Sequence, residues 1–326
     1  GYKKELFCED QTKSLKPEVI RFIDEEQEAE FIAGKIVKSY GRLKYQDFAI
    51  LCRSSFHSNS IQLELLKRNI PFVVYGGIKF IEKRHIKDII AYFKVMWNPL
   101  DMISWNRILT LLNGVGKVTA QKTIQVLRET QGNLDLALNS NIIKRNEAIY
   151  QLFEMIWNAL NFSNLIESFS VIEAYYVEIL KKLEDDWKNR IEDFKVIRRL
   201  CSEYKNIEDF LSNLALDPPS NTKAIYEDSD KLDDAVTIST IHSAKGLEWN
   251  TVFIISLIDG AVPHYRSFND YEKLEEERKL FYVACSRAKE NLYLTAPSYY
   301  NTYAAYFDKI SRFITEVDKN KYVVKE

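Results

Sequence analysis

Residues Val236–Glu248, VTISTIHSAKGLE, and Glu275–Pro297, EEERKLFYVACSRAKENLYLTAP, decide how this chain reads. The first is an apolar strand that breaks into a polar turn. A second strand follows at once, Trp249–Leu257, WNTVFIISL. After an acidic spacer comes an amphipathic helix ending at Cys285-Ser286-Arg287-Ala288, and then a strand around Asn291-Leu292-Tyr293-Leu294. The polar residues gather in the turns instead of spreading along a solvent face, the pattern of strands buried on both sides. Strands separated by helices imply a parallel sheet, hence an α/β fold.

The same alternation opens the chain. The pattern predicts a strand at 18–23, a helix at 24–38, strands at 48–52 and 72–75 flanking a helix at 58–68, the pair Gly76-Gly77, and a helix at 84–97. From residue 98 to about 222 the text turns helical and holds Trp105, Trp157 and Trp187. Pro218-Pro219-Ser220-Asn221 and Glu227-Asp228-Ser229-Asp230 read as a linker. The organisation expected is one sheet domain, 1–92 and 225–326, interrupted by a helical insertion at 93–224.

With 326 residues, 46% hydrophobic and 28% charged, the chain can bury a sizeable core. A formal net charge of -2 gives no global basic signature, so any nucleic-acid contact must come from local clusters. Cys8, Cys52, Cys201 and Cys285 are scattered, and His57, His85, His242 and His264 lack metal-ligand spacing. With no signal peptide and no long apolar run, the expectation is a reduced, cytoplasmic, metal-free protein that does not enter a membrane.

Thr240-Ile241-His242-Ser243-Ala244-Lys245-Gly246-Leu247-Glu248 and Glu276–Ala288 resemble the two C-terminal signature motifs, V and VI, of the UvrD/PcrA/Rep family of superfamily 1 DNA helicases. The resemblance covers nearly the whole chain. It implies a RecA-like, P-loop-NTPase-type domain carrying an inserted helical subdomain, the second of two such domains that share ATP with Mg²⁺. Departures are Ser286 for Thr, Lys279 for Arg, Trp249 for Phe, Asn59 for Arg and His85 for an acid. The last should tilt local charge positive, and Asn59 should weaken the DNA grip on its side.

A phosphate cradle needs G-x-x-x-x-G-K-[ST], and neither Gly34-Lys35-Ile36 nor Gly116-Lys117-Val118 supplies it. Val19–Gln27, VIRFIDEEQ, has the form of a Walker B strand, but its lead is too short for a βαβ unit; it reads as a strand followed by a helix with an acidic first turn. The opening at Gly1-Tyr2 falls in mid-family. The expectation is thus the C-terminal part of a helicase, without activity on its own, that depends on a preceding RecA-like domain.

By the resemblance, Arg287 is the arginine finger that spreads the charge of the transferring phosphoryl group. Glu248 meets the nucleotide ribose beside Gly246, while Thr240, His242 and Lys245 couple the nucleotide cleft to single-stranded DNA. Arg53 and Ser54 leave the apolar strand Phe48–Cys52 where a parallel sheet forms ligand crevices, and resemble a single-strand phosphate contact. Phe80 reads equally as a base-stacking platform or a core aromatic. Leu112–Ala120, LNGVGKVTA, has the form of a helix-hairpin-helix turn: Gly114 and Gly116 free their amides, with Lys117, Thr119 and Lys122 as duplex phosphate contacts. Arg190–Leu216 reads as scaffold. Expected partners are single-stranded DNA, a duplex junction, the preceding domain, and repair or transcription proteins, in 3′ to 5′ unwinding during repair or replication. The competing reading is a degenerate helicase-like module that binds DNA or protein without motor activity.

Overall fold

The computed structural model describes residues 15–215, 234–298, 300–301 and 306–325. The chain divides into two compact units, Gly1–Ile78 with Pro218–Glu326, and Lys79–Asp217. The linker read at 218–221 and 227–230 lies outside the described residues.

In the first unit, β1 (Glu18–Phe22), α1 (Glu25–Ser39), β2 (Phe48–Cys52), α2 (Asn59–Lys67) and β3 (Phe72–Tyr75) form the opening half. All of β2, FAILC, is buried, which fits a strand covered on both faces. Asp24, the apparent Walker B acid, is the N-cap of α1: its carboxylate accepts the N–H groups of Glu26 and Gln27 at 3.0 and 2.9 Å.

The second unit contains ten described helices. They are α3 (Arg84–Trp97), α4 (Met102–Leu109), α5 (Lys117–Glu129), α6 (Leu134–Leu138), α7 (Asn141–Lys144), α8 (Glu147–Leu160), α9 (Leu165–Leu183), α10 (Trp187–Arg190), α11 (Glu192–Glu203) and α12 (Ile207–Ala215). Helix α3, which straddles the boundary drawn from the sequence at residue 92, falls whole in this unit. Aromatic pairs fill its core: Trp105 stacks on Phe153 with centroids 4.8 Å apart, and Phe93 meets Phe210 at 4.7 Å. The buried Asp88 joins three helices by accepting from Arg107 Nε at 2.6 Å and the Tyr176 hydroxyl at 2.5 Å.

The first unit resumes with β4 (Val236–Thr240), β5 (Trp249–Ile254), α13 (Tyr271–Cys285) and β6 (Ala288–Pro297). It closes with a short antiparallel pair, β7 (Tyr300–Asn301) and β8 (Tyr306–Phe307), then α14 (Arg312–Thr315) and β9 (Val323–Lys325). The seven-stranded sheet runs β3-β4-β2-β5-β6-β1-β9 with every neighbouring pair parallel, the α/β, RecA-like arrangement expected. The terminal strand β9 was not anticipated. It is three residues, VVK, all exposed, too short for alternation to register.

Candidate functional site

Because the seven strands of the main sheet run one way, the motif residues of the first unit separate cleanly into two groups. Arg53, Ser54 and Thr240 stand where β2 and β4 end; Leu247, Glu248 and Arg287 stand where β5 and β6 begin. The turn from Ile241 to Glu248 spans from one end to the other, and α13 connects the same two ends on the return.

At the first end, Thr240 Oγ1 lies 3.0 Å from Ser243 Oγ, and the N–H of Ile241 donates to Cys52 O at 2.9 Å, tying the two loops together. The loop after β3 presses on them. A Cβ at Gly76, whose φ is +73°, would lie 2.3 Å from Ser243 Oγ and 2.6 Å from Thr240 Oγ1; one at Gly77 would lie 2.7 Å from Ser55 Cβ. Only glycine permits that approach. Arg53 is half-buried and bound side-on to Glu277 of α13: Nε donates at 2.9 and 3.0 Å and Nη2 at 2.7 Å. The backbone N–H of His264 also donates to Glu277, at 3.3 Å. Burial, reinforced by His264 and Arg53, pushes the adjacent His57 imidazole down to about 3, so it stays neutral. Asn59 is buried, on α2.

Running from that end to the other, the turn exposes His242, Lys245, Gly246, Leu247 and Glu248 while burying Ile241 and Ala244 beneath it. Gly246 adopts φ +88° with open space around it. Arg287 is fixed to this turn twice: Nη1 donates to Leu247 O at 2.9 Å, and its own carbonyl accepts the Trp249 N–H at 2.9 Å. Its Nε reaches back to Val283 O and Nη2 to Ser286 Oγ, so the serine at the family's threonine position keeps a hydroxyl against the guanidinium. Glu248 pairs with Lys289 at 2.8 Å, and that ammonium holds its exposed carboxyl below the usual range. Trp249 is buried in the sheet core, the ordinary place for an aromatic at a strand start.

In the helical unit, Leu112 and Val115 are buried while Gly114 and Gly116 face solvent. Gly114 takes φ +77°, and Gly116 is the N-cap of α5 with no side chain capping it. Lys117 and Lys122 are exposed and Thr119 partly so. This is an open helix N-terminus flanked by cations. Two readings are decided here. Phe80 is wholly buried, which leaves the core reading and removes the stacking one. His85 does not tilt the charge positive: its Nε2 lies 2.7 Å from Asp193 Oδ2 of α11, which Lys83 also meets at 2.9 Å.

Glu277 escaped the sequence reading. It stands among three consecutive glutamates, yet lies on the buried stripe Glu277, Phe281 and Ala284 of α13. An acid at an apolar-stripe position was the available signal.

A family model, the UvrD-like helicase C-terminal domain, matches residues 2–299. The chain belongs to this family. Among similar proteins are the ATP-dependent DNA helicase PcrA of Bacillus subtilis, 33% identical over 96% of this chain and 45% of that protein, and the ATP-dependent DNA helicase Rep of Buchnera aphidicola, 30% identical over 90% and 49%. PcrA of Leuconostoc citreum is 31% identical over 90% of this chain and 42% of its own length. The chain spans about half the length of these UvrD-like relatives. No helix among the described residues is long and apolar enough to cross a membrane, and no cluster of His, Cys, Asp and Glu among them could hold a metal ion.

Proposed function

We propose that this chain is the second RecA-like portion, with an inserted helical subdomain, of an ATP-dependent helicase that moves 3′ to 5′ along single-stranded DNA. The observation that carries the reading is the double attachment of Arg287 to the Leu247–Trp249 segment, because the same turn begins at Ile241, whose N–H is bound to Cys52 O next to Arg53. Arg53, Ser54, Thr240 and His242 take the strand's phosphates at one end of the sheet. Glu248, Gly246 and Arg287 take the nucleotide at the other, and Lys245 lies on the turn between.

These groups suit the outer side of ATP, a ribose acceptor and a planar cation, and the chain has no glycine-rich phosphate loop. ATP with Mg²⁺ would be held mainly by the preceding RecA-like domain. Bound there, it supplies the phosphoryl group whose hydrolysis drives movement. Arg287 would leave Leu247 O to stabilise the charge of that group, and its departure would free the turn to shift against the strand. Gly114, Gly116, Lys117 and Thr119 would hold the duplex ahead of the junction by its backbone alone.

The test is hydrolysis and unwinding by the intact protein. It should hydrolyse ATP in response to single-stranded DNA and open duplexes with 3′ tails in preference to 5′ tails, while the present chain by itself shows no turnover. DNA binding by the intact protein without hydrolysis would favour a module with no motor activity. Turnover by the chain alone would refute its dependence on a second domain.

A further inference from the structure

The side-on grip of Glu277 on Arg53 has a geometry that a simple stabilising ion pair does not require. Both carboxylate oxygens engage Nε, and Oε1 also engages Nη2, which fixes the plane of the guanidinium. No described residue takes Nη1, so that edge remains available for an incoming oxygen. Glu277 is itself held, by burial on the apolar stripe of α13 and by the His264 N–H. It therefore cannot swing away with the arginine. Its helix ends at Cys285, two residues before Arg287, so whatever orients Arg53 is carried on the element that leads to the nucleotide end.

We propose that Glu277 is a positioning residue for strand binding: it aims the free edge of the Arg53 guanidinium at a DNA phosphate and references that aim to α13. This rests on the reading of Arg53 as a single-strand contact. A planar fork can be aimed by a second carboxylate while still presenting donors. A lysine cannot, because its ammonium is a point charge that would be drawn onto Glu277. The preference for arginine over lysine at position 53 should thus exist only while Glu277 is present.

The experiment is a double-mutant cycle in the intact protein, reading affinity for oligothymidylate at several salt concentrations, with melting temperature measured alongside. R53K should weaken binding about tenfold in the otherwise unchanged protein and less than about twofold in the E277Q background. R53A should flatten the log-log salt slope by about 0.7. If R53A weakens binding but R53K costs the same factor in both backgrounds, the pair is only structural and the proposal fails, whatever happens to the melting temperature. If R53A leaves affinity and slope untouched, the strand-contact reading of Arg53 itself falls. Should E277Q not fold, E277D keeps the charge on a stem one methylene shorter and must abolish the same preference.

Discussion

The motif ends of the sheet and the Gly114–Thr119 turn both look from sequence like basic loops waiting for phosphate, but the structure treats them in opposite ways. Arg287 has its donors committed to Val283 O, Leu247 O and Ser286 Oγ, and Arg53 is oriented by Glu277. In the turn, Gly116 caps α5 without a side chain, and Lys117 faces solvent. A donor already satisfied inside the protein must exchange one partner for another when ligand arrives, which links binding to movement of the loop it leaves. An open helix N-terminus exchanges only water. The sheet unit is thus built to respond and the turn to hold.

Breaking that contrast should cost most at Arg287. In the intact protein R287A is expected to lower DNA-stimulated ATP turnover by about 10³-fold, with a smaller effect on nucleotide affinity, as for a cation acting mainly on transition-state charge. Steady-state kinetics against ATP concentration measures both; unchanged turnover would remove Arg287 from the chemistry.

Glu28 sharpens the contrast next. It is fully buried on α1 and accepts the Ser256 N–H just past β5 at 3.1 Å, and burial pushes its carboxyl up to about 7 despite hydrogen bonds from Thr295 and Ser256. A carboxyl whose folded-state affinity for a proton is raised stabilises the fold fully below its unfolded value near 4.5, and loses that contribution as pH rises through 7. Urea unfolding should therefore show stability falling by up to about 3 kcal/mol between pH 5 and 8, and E28Q should flatten that dependence. A wild-type profile that is level over this range would contradict a protonated internal carboxyl.

A pair of glycines with nearly the same φ offers the most direct comparison. Gly76→Ala meets Ser243 and Thr240 side chains and should cost about 2–3 kcal/mol, whereas Gly114→Ala meets nothing within 4 Å and should cost only the conformational penalty of about 1 kcal/mol. Equal losses in urea unfolding would mean that the two loops are equally free. The smallest effect is expected from K117A: duplex affinity should drop modestly, uniformly across two DNA sequences, and the log-log salt slope should flatten by about one unit.

Local pattern made much of this legible. Strands β2 and β5 read correctly because buried parallel strands are nearly continuous apolar runs, and Arg287 could be placed because a helix and a strand flank it. Pairings between distant residues left no such trace. Glu277 meets Arg53 across 224 positions, and Asp193 answers His85 across 108. In each case a polar side chain that looked local from the sequence is met by a partner that only folding brings near. Strand order was equally hidden, since alternation states that strands are parallel but not which are neighbours.

That order has a consequence for synthesis. None of β1, β2 and β3 pairs with another of the three: β1 lies against β6 and β9, β2 against β4 and β5, and β3 against β4. Every partner follows residue 235, beyond the whole helical unit. A growing chain must therefore carry three apolar strands with bare edges while the helices, rich in local contacts, form behind them. The opening segment waits through that interval as an aggregation hazard, and the sheet can zip only when its second half leaves the ribosome.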